Sequence, residues 1–393
     1  MKRKFWIIFF AVFITVLTQA PLLREKLGID TQMLMLPFWC LALLITLYLN
    51  RKLRVTFTRY YYILFFLILF GCVVLSLISG GNYFSGFTIT IIMALFIFFI
   101  GNQNGEILFD DTLFMRLCIA YCSAATLLGI DIYLEYLSSY SLQSIDYVYR
   151  SKNSAGQILL TACVLLGYML KNRKWKVAKV ALIAFFLVEI ILLRSRATIL
   201  SVLFIPVTIL LTTSVKRRYK YTTVAIITIA ILFLTFNENA YNLLINNVLF
   251  NSTNNVSLSS LNLDRVTSNR YSLLSSFPTQ LAGYEFTGLG SSFYVDNLFV
   301  NAIGNYGILF GLLVSILALV PLVESLRLKF KFTQFPIGKL IVLRIIIVTY
   351  TFNGLFEAWA PFGPGGKCFI FWLLLGMLCS GYVNKKEFAN GPQ

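Results

Sequence analysis

The sequence predicts an all-α polytopic membrane protein of about twelve transmembrane helices with both termini cytoplasmic. Three observations carry that prediction. Of 393 residues, 58% are hydrophobic and 12% charged, with a mean hydropathy of +0.79, far from the balance of soluble domains. Apolar runs of roughly 17 to 23 residues recur along the chain, each long enough to cross a hydrocarbon core of about 30 Å as a helix. Basic residues alternate in density from one connection to the next, the sidedness that orients membrane helices.

The runs fall at about 5–23, 33–49, 60–79, 85–101, 112–130, 156–170, 176–193, 197–213, 221–236, 298–320, 338–356 and 367–383. The chain is read as one transmembrane domain over 1–393, with a smaller outer loop at 131–155 and a large one at 237–297. Counted over alternate connections, one side holds 22 of the 33 Lys and Arg residues, from Lys2, Arg3 and Lys4 to Lys385 and Lys386. That side is assigned to the cytoplasm. The connection "GNQNGEILFDD" at 101–111 fits poorly, because it is assigned inside yet has three acids and no base.

The formal charge of +17 is mostly this cytoplasmic bias, so no nucleic-acid partner is inferred. The start "MKRKFWIIFFAVFITVLTQAPLL" mimics a secretory signal, but Pro21 directly after the small-residue end argues against cleavage, and it is kept as the first span. The seven cysteines lie in or beside apolar runs, which suits buried thiols better than disulfides. The chain has no histidine, which removes Ser-His and Cys-His nucleophiles and leaves Cys118 and Cys122, which share a helix face, unlikely metal ligands. No cofactor is expected.

Charges inside or beside spans need a reason, because burying them in lipid costs several kcal/mol unless they are paired or reach the interface. In "LVEIILLRSRATIL", Glu189, Arg194 and Arg196 sit at a tight outer turn, and Arg265 and Arg270 follow in the large outer loop. The bland alternative is snorkelling to headgroups. Four arginines on the side that should be depleted of them favour an anion site, since guanidinium binds phosphate oxygens bidentately and keeps its charge. Arg194 and Arg196 would point about 200° apart on an unbroken helix, so they can share one anion only if the helix breaks between them. Arg116, with Asp110 and Asp111 close by, and Arg344 read as structural.

The carboxylates Glu285, Asp296, Glu357 and Glu189 are candidates for proton handling on the outer side. Asp296 stands where a helix should begin and could serve as its N-cap. In the large loop, "NENAYNLLINNVLF" has helical spacing, and "DRVTSNRYSLLSSF" reads as a helix capped by Asp264.

Taken together, "LLRSRATIL", "DRVTSNRY", "TGLGSSFYVDNLFVNAIGNYGILFGLL" and "FEAWAPFGPGGKCFIFWLLLGML", in this order on about twelve spans, resemble the bacterial O-antigen and capsular polysaccharide polymerases of the Wzy type and their relatives, the O-antigen ligases. The resemblance implies a GT-C-like membrane glycosyltransferase of the bacterial cytoplasmic membrane, inverting and metal-independent, with a site open to the outside. Its substrates would be undecaprenyl-diphosphate-linked oligosaccharides. Membrane lipid, a chain-length regulator and a flippase are the implied partners. The ligases usually carry a histidine where this chain has Asp296, a departure that favours the polymerase.

On that reading Arg194, Arg196, Arg265 and Arg270 bind the diphosphate, and Asp296, then Glu357, then Glu285 activate the acceptor hydroxyl. Tyr284, Phe293, Tyr294 and Asn297 contact sugar, and Gly288 and Gly290 allow the loop to bend over the site. A flippase or secondary transporter is the rival from another class, disfavoured by the sparse intramembrane charge and by the polar mass gathered in one outer loop.

Overall fold

The computed structural model of the chain describes residues 2–28, 31–49, 59–81, 83–84, 86–137, 151–212, 215, 217–242, 270–290, 293–331, 336–363 and 365–389. Among them the regular structure is entirely helical. The long helices are α1 (Lys2–Leu17), α2 (Thr31–Leu49), α3 (Arg59–Ser79), α4 (Gly86–Gln103), α5 (Asp111–Ile132), α6 (Lys152–Met169), α7 (Lys176–Leu192), α8 (Arg196–Leu211), α9 (Arg217–Phe236), α10 (Leu298–Lys331), α11 (Ile337–Asn353) and α12 (Gly365–Ala389). Each apolar run of the sequence overlaps one of them.

Four stretches, Tyr60–Ser79, Gly86–Gln103, Asp111–Tyr136 and Leu298–Ser325, are long and apolar enough to cross a membrane. Shorter apolar stretches occupy Phe5–Leu17, Met35–Leu49, Arg196–Leu211, Lys220–Ile229 and Gly366–Ser380. The helices are compatible with a membrane protein: large side chains such as Phe66, Phe70 and Leu77 stand exposed on α3, where only an apolar surrounding would favour them.

The bundle is organised around α12, which packs on α4, α1, α2, α6 and α11. Its stretch from Cys368 to Leu378 is buried. Two glycines let α4 and α12 approach closely, as small residues do in membrane bundles. A Cβ on Gly101 would strike the Leu373 carbonyl, and one on Gly376 would strike the Phe98 carbonyl and lie 2.8 Å from the Asn102 amide. Gly376→Leu is therefore expected to push the central helix pair apart and cost roughly 3 kcal/mol or more by overpacking. A fall in melting temperature of the detergent-purified protein would show it.

At the end expected to be cytoplasmic, polar groups find partners across the fold. The buried Lys339 ammonium pairs with Asp111 at 2.6 Å and donates to the Leu108 carbonyl at 2.8 Å. This puts the acid-rich 101–111 connection beside a basic one and gives its charge a counterion. Asp110 caps α5 by accepting from the amides of Thr112 and Leu113. The two acids near Arg116 in sequence are thus engaged by a helix end and a distant lysine, and Arg116 itself is exposed. Arg344 is structural as expected: its Nε donates to the Ser325 carbonyl at 2.9 Å.

The opposite end departs from the expected runs in two places. The first run, taken to reach residue 23, ends as α1 at Leu17, and a single wide turn follows over Leu22–Lys26. There the Leu22 amide donates to Asp131 and Lys26 pairs with Glu135 at 2.5 Å. The second departure is in α10, which is broken at Gly307 (φ 74°, ψ 175°). The freed backbone groups are taken by the preceding loop: the Ile308 amide donates to the Glu285 carbonyl at 2.7 Å, and the Leu289 amide to the Gly304 carbonyl at 2.6 Å. A break inside an apolar helix is tolerated when other protein groups satisfy the backbone in this way.

Candidate functional site

The turn between α7 and α8 is the sharpest local feature that the sequence marked. α7 stops at Leu192, Arg194 takes a left-handed conformation (φ 48°), Ser195 is extended, and α8 begins at Arg196. A non-glycine residue held left-handed costs about 1–2 kcal/mol, and such strain concentrates at functional positions. The break falls between the two arginines, the condition required for both to face one anion.

The N-terminus of α6 closes on this turn. Ser195 Oγ donates to Asn153 Oδ1 at 3.0 Å and shares a hydrogen bond of 2.7 Å with Thr198 Oγ1. Gly156 lets the helices touch, since a Cβ there would lie 2.8 Å from Thr198 Oγ1. This docking carries Lys152 to the turn. Burial, then the Arg196 and Arg194 charges beside it, push its ammonium below the ordinary lysine range. The docking of α6 on the α7–α8 turn thus brings one cation from α6 into the field of two from the turn.

From there a polar seam runs down α6 through Asn153, Gln157 and Thr161, spaced four apart and hence on one face. Gln157 Oε1 accepts from Asn353 Nδ2 of α11 at 2.8 Å. Thr161 Oγ1 lies 3.0 Å from Tyr350 Oη, which donates to the Lys367 carbonyl of α12 at 2.9 Å. The Lys367 ammonium, fully buried, stands 3.6 Å from Glu357 Oε2. The seam therefore joins the cation cluster to one of the carboxylates singled out in the sequence.

A second unit is built by the loop before α10. Asn297, Asn301 and Asn305 form another stripe at spacing four, and each acts as a staple. Asn297 Oδ1 accepts from the amides of Phe299 and Val300, and its Nδ2 donates to the Leu355 carbonyl at 3.2 Å. Asn297, not Asp296, is thus the cap of α10. Asn301 holds the Val295 amide and the Ala358 carbonyl, and Asn305 donates to the Phe293 carbonyl at 3.0 Å. The asparagines after Asp296 bind this loop and the 354–363 turn to the first half of α10.

The other expected residues divide between these units. Asp296 Oδ1 accepts from Tyr294 Oη at 2.8 Å, and Tyr294 meets Trp359 edge-on with ring centroids 6.3 Å apart. Phe293 meets Phe277 in a tilted pair with centroids 5.5 Å apart and packs against Gly304, so its ring fills the loop. Tyr284 is exposed. Glu285 is exposed too, its Oε1 accepting from the Gly283 amide at 3.0 Å; hydrogen bonds from its own amide and from that of Gly283 hold its carboxyl below the usual range. Gly288 and Gly290 have the left-handed φ (72° and 88°) that the bend requires.

Glu189 is buried in α7 against Gly129 of α5, with both carboxyl oxygens lacking a hydrogen-bond partner among the described residues. Asp264 and Arg265 lie outside the described residues, and of Arg270 only the backbone is described, at the start of the short helix Arg270–Leu281.

Sequence reasoning missed Lys152, Gln157, Asn353 and Lys367. For the first two a signal existed, the four-residue polar spacing down α6 that starts beside Lys152. For Asn353 and Lys367 there was none.

The fold and site define an all-helical protein built largely of apolar helices, with a strained cationic turn at one end linked to a buried polar seam. Its sequence matches no known family model and no curated protein.

Proposed function

We propose that this chain is a lipid-linked oligosaccharide polymerase of the bacterial cytoplasmic membrane. It joins undecaprenyl-diphosphate-linked repeat units into an O-antigen or capsular polymer, its twelve long helices spanning the membrane and the Arg194–Arg196 turn facing outward. The observation that carries this reading is the gathering of Lys152, Arg194 and Arg196 at a strained helix break, beside a seam that ends on a carboxylate.

The chemistry needs these parts. An acceptor hydroxyl attacks the anomeric carbon of a lipid-linked sugar, the carbon–oxygen bond to the diphosphate breaks, and the electron pair leaves on the lipid diphosphate. Preorganised cations at the end of an apolar bundle stabilise that growing charge. A carboxylate takes the hydroxyl proton; Asp296 and Glu357 are the candidates held in ordered surroundings. Tyr294 and Trp359, beside Asp296, offer ring faces to sugar. A flippase would deliver the substrate and a chain-length regulator would set when the polymer is released.

The test is reconstitution of the full chain in vesicles supplied only with lipid-linked repeat units extracted from the producing cells. A ladder of elongated products is expected. Products formed only with a different added acceptor would make the protein a ligase, and translocation with no new bond would make it a flippase.

A further inference from the structure

We propose that Lys367 and Glu357, with the side-chain amides of Gln157 and Asn353, form the subsite that binds the attacking sugar hydroxyl and removes its proton. The proposal rests on the polymerase reading and adds to it the place and the groups of acceptor activation.

It starts from a group of buried polar atoms whose hydrogen-bonding capacity is unused. Lys367, Gln157 and Asn353 have 0% exposure. The Lys367 ammonium lies 3.6 Å from Glu357 Oε2, close enough for attraction but too far for a normal hydrogen bond. Lys367 Nζ, Glu357 Oε1, Gln157 Nε2 and Asn353 Oδ1 have no hydrogen-bond partner among the described residues. Folded proteins satisfy the great majority of such groups, so four at one junction of α6, α11 and α12 need a reason. They share that junction: Asn353 bonds Gln157, and Tyr350, three residues before Asn353, bonds the Lys367 carbonyl.

The mixture of groups selects the ligand. Lys367 and Gln157 offer donors, whereas Glu357 and Asn353 offer acceptors. A simple anion would satisfy only the donors and be repelled by Glu357. A simple cation would satisfy only the acceptors and be repelled by Lys367. A hydroxyl both donates and accepts, so the neighbouring hydroxyls of a sugar match this mixture of groups.

The position suits transfer. Gln157 is one turn down α6 from Asn153, about 6 Å at 1.5 Å per residue, and Asn153 binds Ser195 between the two arginines. The junction thus begins about one helical turn from the residue that docks the arginine turn. In the reaction the hydroxyl oxygen bonds to the anomeric carbon, its proton passes to Glu357 Oε1, and the sugar–diphosphate bond breaks with its electron pair on the diphosphate held by Lys152, Arg194 and Arg196. Glu357 suits the task better than its rivals: Asp296 Oδ1 is engaged by Tyr294, and Glu285 is turned onto its own loop.

The experiment uses full-length protein in vesicles with two readouts: binding of sugar-free undecaprenyl diphosphate, and elongation of lipid-linked repeat units extracted from the producing cells. Glu357→Gln and Lys367→Met are expected to lower elongation about 100-fold or more with diphosphate binding unchanged, and Lys367→Arg to recover part of it. The double variant Glu357→Gln/Lys367→Met, which leaves no unpaired buried charge, is expected to fold normally and stay inactive. Wild-type elongation rates in Glu357→Gln, or activity restored in the double variant, would overturn the proposal while leaving the polymerase reading intact. Wild-type protein that neither elongates nor binds the lipid diphosphate would overturn both.

Discussion

Arg196→Ala is expected to abolish long polysaccharide in cells that make the protein at normal levels, and to lower elongation in vesicles by roughly 100-fold or more, the size of effect seen when one donor to a developing anion is removed. The residue opens α8 beside a left-handed Arg194, so its backbone is set by a helix start. Folding should survive, because Arg196 is only partly buried and the Ser195–Asn153 and Ser195–Thr198 contacts that dock the turn do not involve it. Lys152→Ala should act in the same direction more weakly, because removing a neighbouring cation also relieves repulsion at the turn. Gel electrophoresis of surface polysaccharide, with protein amounts measured alongside, checks both. Long polymer from Arg196→Ala would remove the central support of the proposed function.

Gly307→Ala is expected to detach the loop 283–290 from α10 at a cost of about 3–5 kcal/mol. Two effects add there. The backbone at φ 74°, ψ 175° belongs essentially to glycine, and forcing another residue into such a region costs about 1–3 kcal/mol. A Cβ would also run into the Phe286 carbonyl, which threatens the Ile308–Glu285 and Leu289–Gly304 backbone bonds beside it, each worth about 1 kcal/mol. Faster proteolytic cleavage within 283–290 and a lower melting temperature would show the loss. Gly290→Ala is the comparison: its φ is also positive, but a Cβ there meets no atom of the described residues within 4 Å, so the conformational cost of about 1–2 kcal/mol dominates. Equal effects from the two variants would show that the close approach at Gly307 contributes nothing.

The helices were legible because their cause is local. A run such as Phe87 to Ile100 needs no partner to declare itself, since length and apolarity suffice to favour a helix that hides its backbone from lipid. The break between Arg194 and Arg196 was legible as a requirement, because two charges two residues apart cannot share a ligand on an intact helix. The glycines at 288 and 290 announced a bend for the same kind of reason, the conformations open to a residue without a Cβ.

What the sequence by itself determined is therefore the set of helices, their order, and the places where charge interrupts them. The tertiary structure alone decided who meets whom: Lys339 with Asp111, Asn353 with Gln157, Lys367 with Glu357, and Lys152 with the arginine turn. It also made Asn297 the cap of α10, the role that was the structural alternative for Asp296. The physical reason is range. Helix formation and chain reversal are fixed by neighbours a few residues apart, whereas a buried polar side chain is satisfied by whatever helix packing brings within about 3 Å, and that partner leaves no periodic trace along the chain.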